Sequence, residues 1–394
     1  MKKTEKIYFG LCSFAIFRKM LCKPLFSSFM EYARAKDEDE KLEKYASFVS
    51  EIYRGGASLP GCVKTLVFED ENVYVRAVGN MEKISRSMHS AFEHELDVLA
   101  EFASLTPDDF TADMGDEIYI PPFETGSIDI KNEYESRLRG ISKYGYGIFA
   151  SNGMFYVSDD GEILPITSAD RITLDKFIGY KEERQKVLAN TEAFLSGKPG
   201  ANILLYGDAG TGKSSTVKAV ANHFFDEGLR LVEVRKNQLL LLPKIMGEIS
   251  GNPLKFIIFI DDLSFQKDDD NFSALKAILE GSVSAKSRNV AIYATSNRRH
   301  LVKESFSARD GDDVHRNDTM QEILSLSARF GIQVSFYKPD KQTYLHIVSY
   351  LAEEKGIDLP EEELFILAER FALEKGGRSA RAAKQFIDNL LSNM

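Results

Sequence analysis

The 394-residue sequence predicts an α/β protein with a parallel-sheet core, a mainly helical region and a small β meander before it, and a helical lid after it. Three observations predict this fold. The apolar run at residues 256–260 indicates a strand buried on both faces, as in a parallel sheet. A glycine-rich turn at residues 207–214 joins a predicted strand to a predicted helix. Beyond Pro339, apolar residues recur at helical spacing. We place the domain boundaries at residues 1–135 (helical region), 136–170 (meander and linker), 171–338 (core) and 339–394 (lid).

Composition limits the class of protein. Hydrophobic residues make up 43% and charged residues 28% of the chain, which is typical of a soluble globular protein. The formal net charge of −10 argues against a general affinity for nucleic acid, although a local basic patch remains open. Three cysteines without metal-ligand spacing indicate reduced thiols, so we expect a cytoplasmic protein.

The N-terminal region is predicted to be helical. Residues 7–17 follow a basic start and superficially resemble a secretion signal, but Arg18 and Lys19 close the run and no small-residue cleavage site follows. The run is too short to span a bilayer, so we interpret it as a first helix. The acidic residues 37–40 are interpreted as a solvated connection. Further amphipathic helices are predicted at residues 26–35, 42–53 and 87–102, while residues 63–68 and 73–78 fit short strands and buried helical turns equally well.

The meander is predicted from alternation between turns. Residues 146–150, 154–157 and 162–166 alternate as strands do, and turn residues separate them. Because three short strands bury little surface, we expect this segment to pack on a neighbouring part of the chain.

The glycine-rich turn fits the phosphate-binding (Walker A) pattern G-x-x-x-x-G-K-[ST]. Its glycines allow backbone N–H groups to turn toward a phosphate, and the following helix adds the positive end of its dipole. We expect Lys213 to reach the β- and γ-phosphates and the Ser214 hydroxyl to bind Mg²⁺. The predicted nucleotide-binding residues of this turn are Gly207, Asp208, Ala209, Gly210, Thr211, Gly212, Lys213, Ser214 and Ser215.

Polar residues end two further predicted strands. Asp261 and Asp262 follow residues 256–260, at the end of the sheet where ligands bind in open α/β folds (Walker B). Asp261 suits Mg²⁺, through a water or through Ser214, and Asp262 suits polarising an attacking water. In isolation a surface turn would explain the two aspartates equally well. Asn297, at the end of residues 290–297, is predicted to orient the water or touch the γ-phosphate.

Arginines outside these strands are candidates for contacts with phosphate. Arg329 precedes the last core strand, where it can point at a neighbouring subunit's γ-phosphate, an arginine finger worth about 10³–10⁵ in rate. A structural ion pair is the alternative. Arg378, or alternatively Arg381, is placed to fold back onto the nucleotide from the third lid helix, whose predicted N-cap is Ser379. Arg298 to His300 fit a small basic patch or solvated side chains, and residues 303–322 form a long charged segment.

The order of these parts resembles an AAA+ ATPase. More narrowly, three stretches resemble the bacterial AAA+ ATP-binding family that is described as a domain of unknown function: residues 278–282, 293–301 and 324–331. The likeness covers residues 130–394 strongly and the first third loosely. It implies that ATP and Mg²⁺ bind, that Gly179 lies in a segment lining the adenine pocket, and that subunits form a ring or an open ring. The resemblance gives Lys213, Ser214, Asp261, Asp262, Asn297, Arg329 and Arg378 the roles described above.

One position departs from the general AAA+ pattern. Asp262 stands where most members carry glutamate, and its side chain is one methylene shorter, so we expect slow basal hydrolysis. The leading hypothesis is an ATPase that acts on an unknown macromolecular partner, bound by the N-terminal region by elimination. The alternative is a slow-hydrolysing, ATP-dependent switch similar to helicase loaders, which is an analogy by fold. A small-molecule kinase is disfavoured, because it leaves Arg329, Arg378 and the lid without a joint purpose. Residues 239–242 are interpreted as core, so threading of a polypeptide has no support.

Overall fold

The computed structural model describes residues 2–111, 119–167, 172–265, 270–280, 288–297 and 326–393. Most of residues 281–325 lie outside this set, and with them the basic patch at 298–300 and the charged segment at 303–322. The chain forms two compact units, residues 1–151 and 152–394. Within the described parts, no helix combines the length and apolar character needed to cross a membrane.

The first unit is helical in its described residues. Its core is rich in aromatic rings: Phe102 packs against Phe26 and Phe29 with ring centroids 4.8 and 5.0 Å apart, and Phe110 packs against Tyr45 at 4.9 Å. These large side chains are fully buried, so they contribute much of the apolar area that stabilises the unit. The α-helices are Lys3–Cys12 (α1), Pro24–Arg34 (α2), Glu38–Arg54 (α3), Leu59–Glu69 (α4), Val73–Gly79 (α5), Arg86–Ala103 (α6), Asp108–Thr111 (α7), Ile130–Arg139 (α8) and Ile141–Tyr144 (α9).

Most predictions for this unit are confirmed, and two are wrong. Both ambiguous segments are helices, α4 and α5. The acidic run is not a connection, because Glu38 to Glu40 form the first turn of α3, where negative charge favours the positive end of the helix dipole. The strand predicted at residues 146–150 is instead a 3₁₀ turn, Gly147–Phe149. Gly145 and Gly147 both have a φ of +63°, which interrupts an extended strand.

The second unit contains a seven-stranded sheet in the order β2-β1-β4-β5-β6-β3-β7. Among the strands of the described residues, only β1 and β2 pair antiparallel. Strand β1 then pairs parallel with β4, so this hairpin extends the main sheet. Strand β3 lies between β6 and β7, with Leu204 opposite Ala294 and Gln333. The carboxyl ends of these three strands therefore lie side by side. The strands are Met154–Val157 (β1), Ile163–Pro165 (β2), Ile203–Gly207 (β3), Leu229–Glu233 (β4), Lys255–Ile260 (β5), Val290–Ser296 (β6) and Ile332–Phe336 (β7).

Helices pack on this sheet and form the lid. The lid has its own core, in which the fully buried Tyr344 donates its hydroxyl to the Ala368 carbonyl at 3.0 Å. Ser379 caps the last helix, as predicted, because its hydroxyl accepts the Ala382 N–H at 3.1 Å. In the stretch predicted as core, Leu239 and Leu242 are fully buried, whereas Leu240 is 62% exposed. The helices of the core are Lys181–Leu195 (α10), Lys213–His223 (α11, after the glycine turn), Leu242–Ser250 (α12) and Asp270–Leu279 (α13). The lid helices are Lys341–Glu354 (α14), Glu361–Glu374 (α15) and Ala380–Asn393 (α16).

The α/β fold class predicted from the sequence is confirmed: a mostly parallel sheet carries the phosphate-binding turn, and a helical lid follows it. The predicted domain boundaries stay a prediction, since the structure divides the chain once, after residue 151.

Candidate functional site

The phosphate-binding turn adopts backbone conformations that require glycine. Gly207 ends β3 with a φ of +133°, and a Cβ there would lie 2.1 Å from the Phe336 carbonyl oxygen of the neighbouring strand. Gly212 has a φ of +92° at the N-cap of α11. Any other residue at these positions would clash or be strained. Because both are glycine, the turn can wind tightly enough to direct its N–H groups inward.

Lys213, the first residue of α11, reaches back across this turn. Its ammonium group donates to the Gly207 carbonyl at 3.0 Å, the Asp208 carbonyl at 2.7 Å and Asn297 Oδ1 at 3.0 Å. Burial lowers the pKa of Lys213, while Asp208, Asp262 and Asp261 oppose that shift. All three ammonium donors are thus in use, and a bound phosphate must displace at least one acceptor.

The two aspartates after β5 are tied to different partners. The Ser214 hydroxyl donates to Asp261 Oδ1 at 2.6 Å, and the Thr295 hydroxyl donates to the same oxygen. Thr295 also accepts the Asp262 N–H at 2.9 Å, so one buried hydroxyl holds both residues. Asn297 Nδ2 donates to Asp262 Oδ1 at 2.8 Å. Asn297 therefore links Lys213 to Asp262.

Asp262 is held in an uncommon backbone conformation. Its φ is +51°, in the left-handed region, which costs a non-glycine residue about 1–2 kcal/mol but is tolerated best by Asn and Asp. Residues strained in this way persist where surrounding contacts fix them, and such positions cluster at functional sites. The Thr295 and Asn297 bonds are contacts of this kind.

Ser214 and Asp261 fit a magnesium ion. Their oxygen atoms are hard ligands that lie 2.6 Å apart, and Mg²⁺ in nucleotide sites takes one or two protein ligands together with waters and substrate phosphates. No cluster of three or more His, Cys, Asp or Glu side chains occurs among the described residues, so an all-protein metal cage is absent from that part of the chain.

These residues share a cleft of about 530 Å³ between the core and the lid. The polar lining residues come from the phosphate-binding turn and include both aspartates, Thr295 and Asn297. The apolar and aromatic lining residues come from the segment before α10 and from α14. They are Phe177, Ile178, Tyr180, Ile347, Tyr350 and Leu351.

Gly179 allows the segment before α10 to approach the lid. It has a φ of +74°, and a Cβ there would lie 2.9 Å from Thr343 Cγ2 of α14. Its neighbours Ile178 and Tyr180 line the cleft, whereas Gly179 is not among the lining residues. Gly179 would therefore affect nucleotide binding through the path of the backbone, which positions Ile178 and Tyr180.

The lid contributes two cations to the cleft. Arg381 and Lys384 of α16, three residues apart, both line it, and the Arg381 N–H donates to the Gly210 carbonyl at 3.1 Å. Arg378 instead forms a bidentate pair with Glu369, at 2.8 and 2.7 Å, and is not a lining residue. The geometry thus favours Arg381, the alternative, and gives no support to the expected contact of Arg378 with nucleotide.

Arg329 does not lie in this cleft. It forms an ion pair with Glu280 at 2.5 Å and lines a second cavity of about 760 Å³. That cavity is bordered by residues at the amino ends of the strands, including Asn202 before β3 and Gly331 before β7. The Arg329 side chain is 32% exposed. The ion pair predicted as the alternative is present, and an outward-facing role is compatible with this exposure.

Two residues have positions that the motif did not indicate. Asp208 was predicted to bind nucleotide, but its carboxylate accepts the Lys338 N–H at 2.8 Å, and neither Asp208 nor Gly207 lines the cleft. Thr295 was not predicted. It lies on β6 two residues before Asn297, which directly follows the strand, so the period-two alternation of the strand offered a signal for it.

A profile of the protein family described as "Protein of unknown function (DUF815)" matches residues 151–394, well over half of the chain. The chain belongs to the DUF815 family. The match spans the whole sheet, the phosphate-binding turn and the lid, so every site residue named above lies within the DUF815 region. The predicted resemblance to a family described as a domain of unknown function is confirmed.

Several solved structures are similar to this chain at low sequence identity. The Thermotoga maritima RuvB Holliday junction branch migration motor is 17% identical, with a TM-score of 0.36, over 54% of this chain and 61% of RuvB. A katanin structure, described by its self-assembly, is 17% identical with a TM-score of 0.36, over 56% and 69%. The replication initiator DnaA, bound to AMPPCP and single-stranded DNA, is 18% identical with a TM-score of 0.38, over 57% and 66%. The chain spans about three fifths of the length of RuvB, and TM-scores this low carry no conclusion about activity or partner.

Proposed function

We propose that this protein binds ATP with Mg²⁺ in the cleft and hydrolyses it. The observation that carries the proposal is the hydrogen-bonded chain from Lys213 through Asn297 to Asp262, beside the Ser214–Asp261 pair. A phosphate-binding lysine, a water-polarising carboxylate and an oxygen pair suited to Mg²⁺ thus meet at one point, as phosphoryl transfer to water requires. The apolar and aromatic lining residues of the cleft are suited to a flat base.

In this proposal each residue has a separate task. Backbone N–H groups of residues 209–214 and the Lys213 ammonium bind the β- and γ-phosphates, and Asp262 accepts a hydrogen bond from the attacking water. Asn297 fixes the direction of the Asp262 carboxylate, since it already donates to it. Ser214 and Asp261 would hold the metal, which would neutralise part of the phosphate charge. Arg381 and Lys384 add positive charge from the lid.

We propose further that the site is completed by a second copy of the chain. Within one copy Arg329 is at the amino ends of the strands, whereas the cleft is at their carboxyl ends. Its side chain is partly exposed, so a guanidinium offered to a neighbouring cleft is compatible with this position. A homo-oligomer in a ring or an open ring is the assembly that this arrangement suggests. Nucleotide binding would change the angle of the lid against the core, and that change would act on an unknown protein partner.

A second candidate function is a slow ATP-dependent switch or loader. It is favoured by Asp262, which is one methylene shorter than glutamate and has one carboxylate oxygen bonded to Asn297. Both features restrict how far the carboxylate reaches toward water. Turnover separates the candidates: a vigorous motor hydrolyses many ATP molecules per minute without a partner, and a switch binds ATP and hydrolyses it rarely.

The proposal is tested by isothermal titration with Mg²⁺–ATP and by phosphate release. The Lys213→Ala variant should lose binding by about a hundredfold or more, because it removes a buried phosphate contact. Lys186→Ala, which removes an exposed lysine of α10 in the same unit, serves as the matched control and should bind as the wild type does. Equal binding by the Lys213→Ala variant and the wild type would refute the site.

A further inference from the structure

The phosphate-binding turn carries an acidic side chain, Asp208, that does not face the phosphate site. A carboxylate in such a turn would repel a triphosphate unless something directed it elsewhere. Here it accepts the N–H of Lys338 at 2.8 Å, across 130 positions of sequence. Lys338 lies in the hinge, residues 337–340, which joins strand β7 to lid helix α14.

The backbone of Asp208 is bonded just as closely. Its N–H donates to the carbonyl of Phe336 at 2.8 Å, and Phe336 is the last residue of β7 before the hinge. Its carbonyl accepts from Lys213 Nζ at 2.7 Å and from the Thr211 hydroxyl at 2.9 Å. Asp208 is therefore bonded to the phosphate-binding lysine on one side and to the hinge on the other.

The hinge in turn is fixed to the lid. Lys338 Nζ donates to the Gly376 carbonyl, in the turn between α15 and α16, at 2.7 Å. Because Lys213 uses all three of its donors within the protein, a bound phosphate has to replace one of them. One of the three acceptors is the Asp208 carbonyl, at 2.7 Å. A bound phosphate therefore competes for the ammonium group that holds Asp208, and Asp208 holds the hinge.

We propose that Asp208 is a positioning residue that sets the lid against the phosphate-binding turn, so that phosphate occupancy and lid angle depend on one another. The inference rests on the proposed function, because it requires a nucleotide in the cleft. A hydrogen bond to a carboxylate is about twice as strong as a neutral one, so this contact is suited to connect the phosphate-binding turn to the hinge. Asp208 would therefore regulate the site rather than contact phosphate directly.

Hydrogen exchange measured by mass spectrometry tests this, with Mg²⁺ and β,γ-imido-ATP as the probe. In the wild type, the analogue should slow exchange in the turn at residues 207–214 and change exchange at Lys338 and in residues 376–383. Asp208→Ala should exchange the Lys338 amide about tenfold faster without nucleotide, as expected for loss of a hydrogen bond to a charged group. Its turn should still respond to the analogue, and its lid should not.

Two further variants sharpen the test. Asp208→Asn retains an oxygen acceptor and should restore the response of the lid, while Asp226→Ala, which removes an exposed carboxylate of the same unit, should behave as the wild type. In steady-state hydrolysis, Asp208→Ala should lower kcat about tenfold with KM changed less than about threefold, since the lid is uncoupled and phosphate binding is kept.

The possible outcomes separate the two proposals. A lid of Asp208→Ala that responds to the analogue as the wild type does would overturn this inference alone. A wild-type turn that does not respond to the analogue would overturn the proposed function, and this inference with it. Should Asp208→Ala fail to fold, the wild type decides the matter, because unchanged exchange at Lys338 while the turn is protected would also overturn the inference.

Discussion

Replacing Thr295 by valine tests how the two carboxylates are held. The two side chains have nearly the same shape, so Thr295→Val leaves no cavity and removes only the hydroxyl. That hydroxyl is buried, donates to Asp261 and accepts the Asp262 N–H at 2.9 Å. We expect the replacement to lower the free energy of unfolding and to raise the Mg²⁺ concentration that activity requires.

The magnitude follows from these two bonds. Loss of a hydrogen bond to a charged group costs roughly 1.5–3 kcal/mol, and an unsatisfied buried N–H costs about 1–3 kcal/mol. The Asp262 N–H keeps a second contact to Asp261 Oδ1 at 3.2 Å, so the lower part of the range applies. We expect a loss of about 2 kcal/mol in the free energy of unfolding, and a similar loss in the transition state would lower kcat about 30-fold.

Urea unfolding and phosphate release over a range of Mg²⁺ concentrations measure the two effects. Thr295→Val should need more Mg²⁺ for half-maximal activity, because Asp261 loses one of the donors that orient it. Thr295→Ser keeps the hydroxyl and should recover the Mg²⁺ requirement of the wild type. If the valine variant hydrolyses ATP with the kcat and Mg²⁺ requirement of the wild type, the role assigned to Thr295 is refuted.

Three further predictions concern the arginines and one tyrosine. Arg381→Ala should weaken ATP binding about tenfold or more, as expected for loss of a charge-assisted phosphate contact, whereas Arg378→Ala should spare binding and only lower the melting temperature; titration calorimetry and thermal unfolding decide between them. Mixing Arg329→Ala subunits with Asp262→Asn subunits, each inactive alone, should restore about a quarter of the sites by random assortment in a cyclic oligomer; phosphate release that stays at background in a confirmed mixed oligomer would contradict the shared site. Burial raises the pKa of Tyr180 to about 12, and its hydroxyl donates to the Tyr337 carbonyl. The unfolded chain ionises this tyrosine near pH 10, so the native state binds more protons above that pH, and stability falls as pH rises. The stability difference between wild type and Tyr180→Phe should be constant below about pH 10 and shrink as pH rises through about 12; a difference that does not change with pH would contradict this.

The parts of the site that a single local pattern determines were predictable from the sequence. Residue 207 has to be glycine because any Cβ there would lie 2.1 Å from a carbonyl oxygen. The first glycine of the Walker A pattern reflects this requirement. The positions of Asp261 and Asn297 followed from the apolar strands before them, since parallel strands bring their carboxyl ends to one edge. Thr295 was within reach of the same argument.

The remaining parts depend on contacts between distant segments. Whether Asp208 faces phosphate or the hinge depends on Lys338, which returns to the turn only in the folded chain. The choice between Arg378 and Arg381 depends on Glu369, which pairs with one of them from another helix. The 3₁₀ turn at residues 147–149 was missed because alternation outweighed two glycines whose positive φ breaks a strand.

The cleft beneath the lid is, in our proposal, a nucleotide site built on Lys213. The equilibrium affinity of the full chain for Mg²⁺–ATP, compared with that of Lys213→Ala, tests this site. We expect saturable one-to-one binding by the wild type, and loss of that binding in the variant. A wild-type chain that binds no adenine nucleotide, or a variant that binds it equally well, would contradict the proposed site.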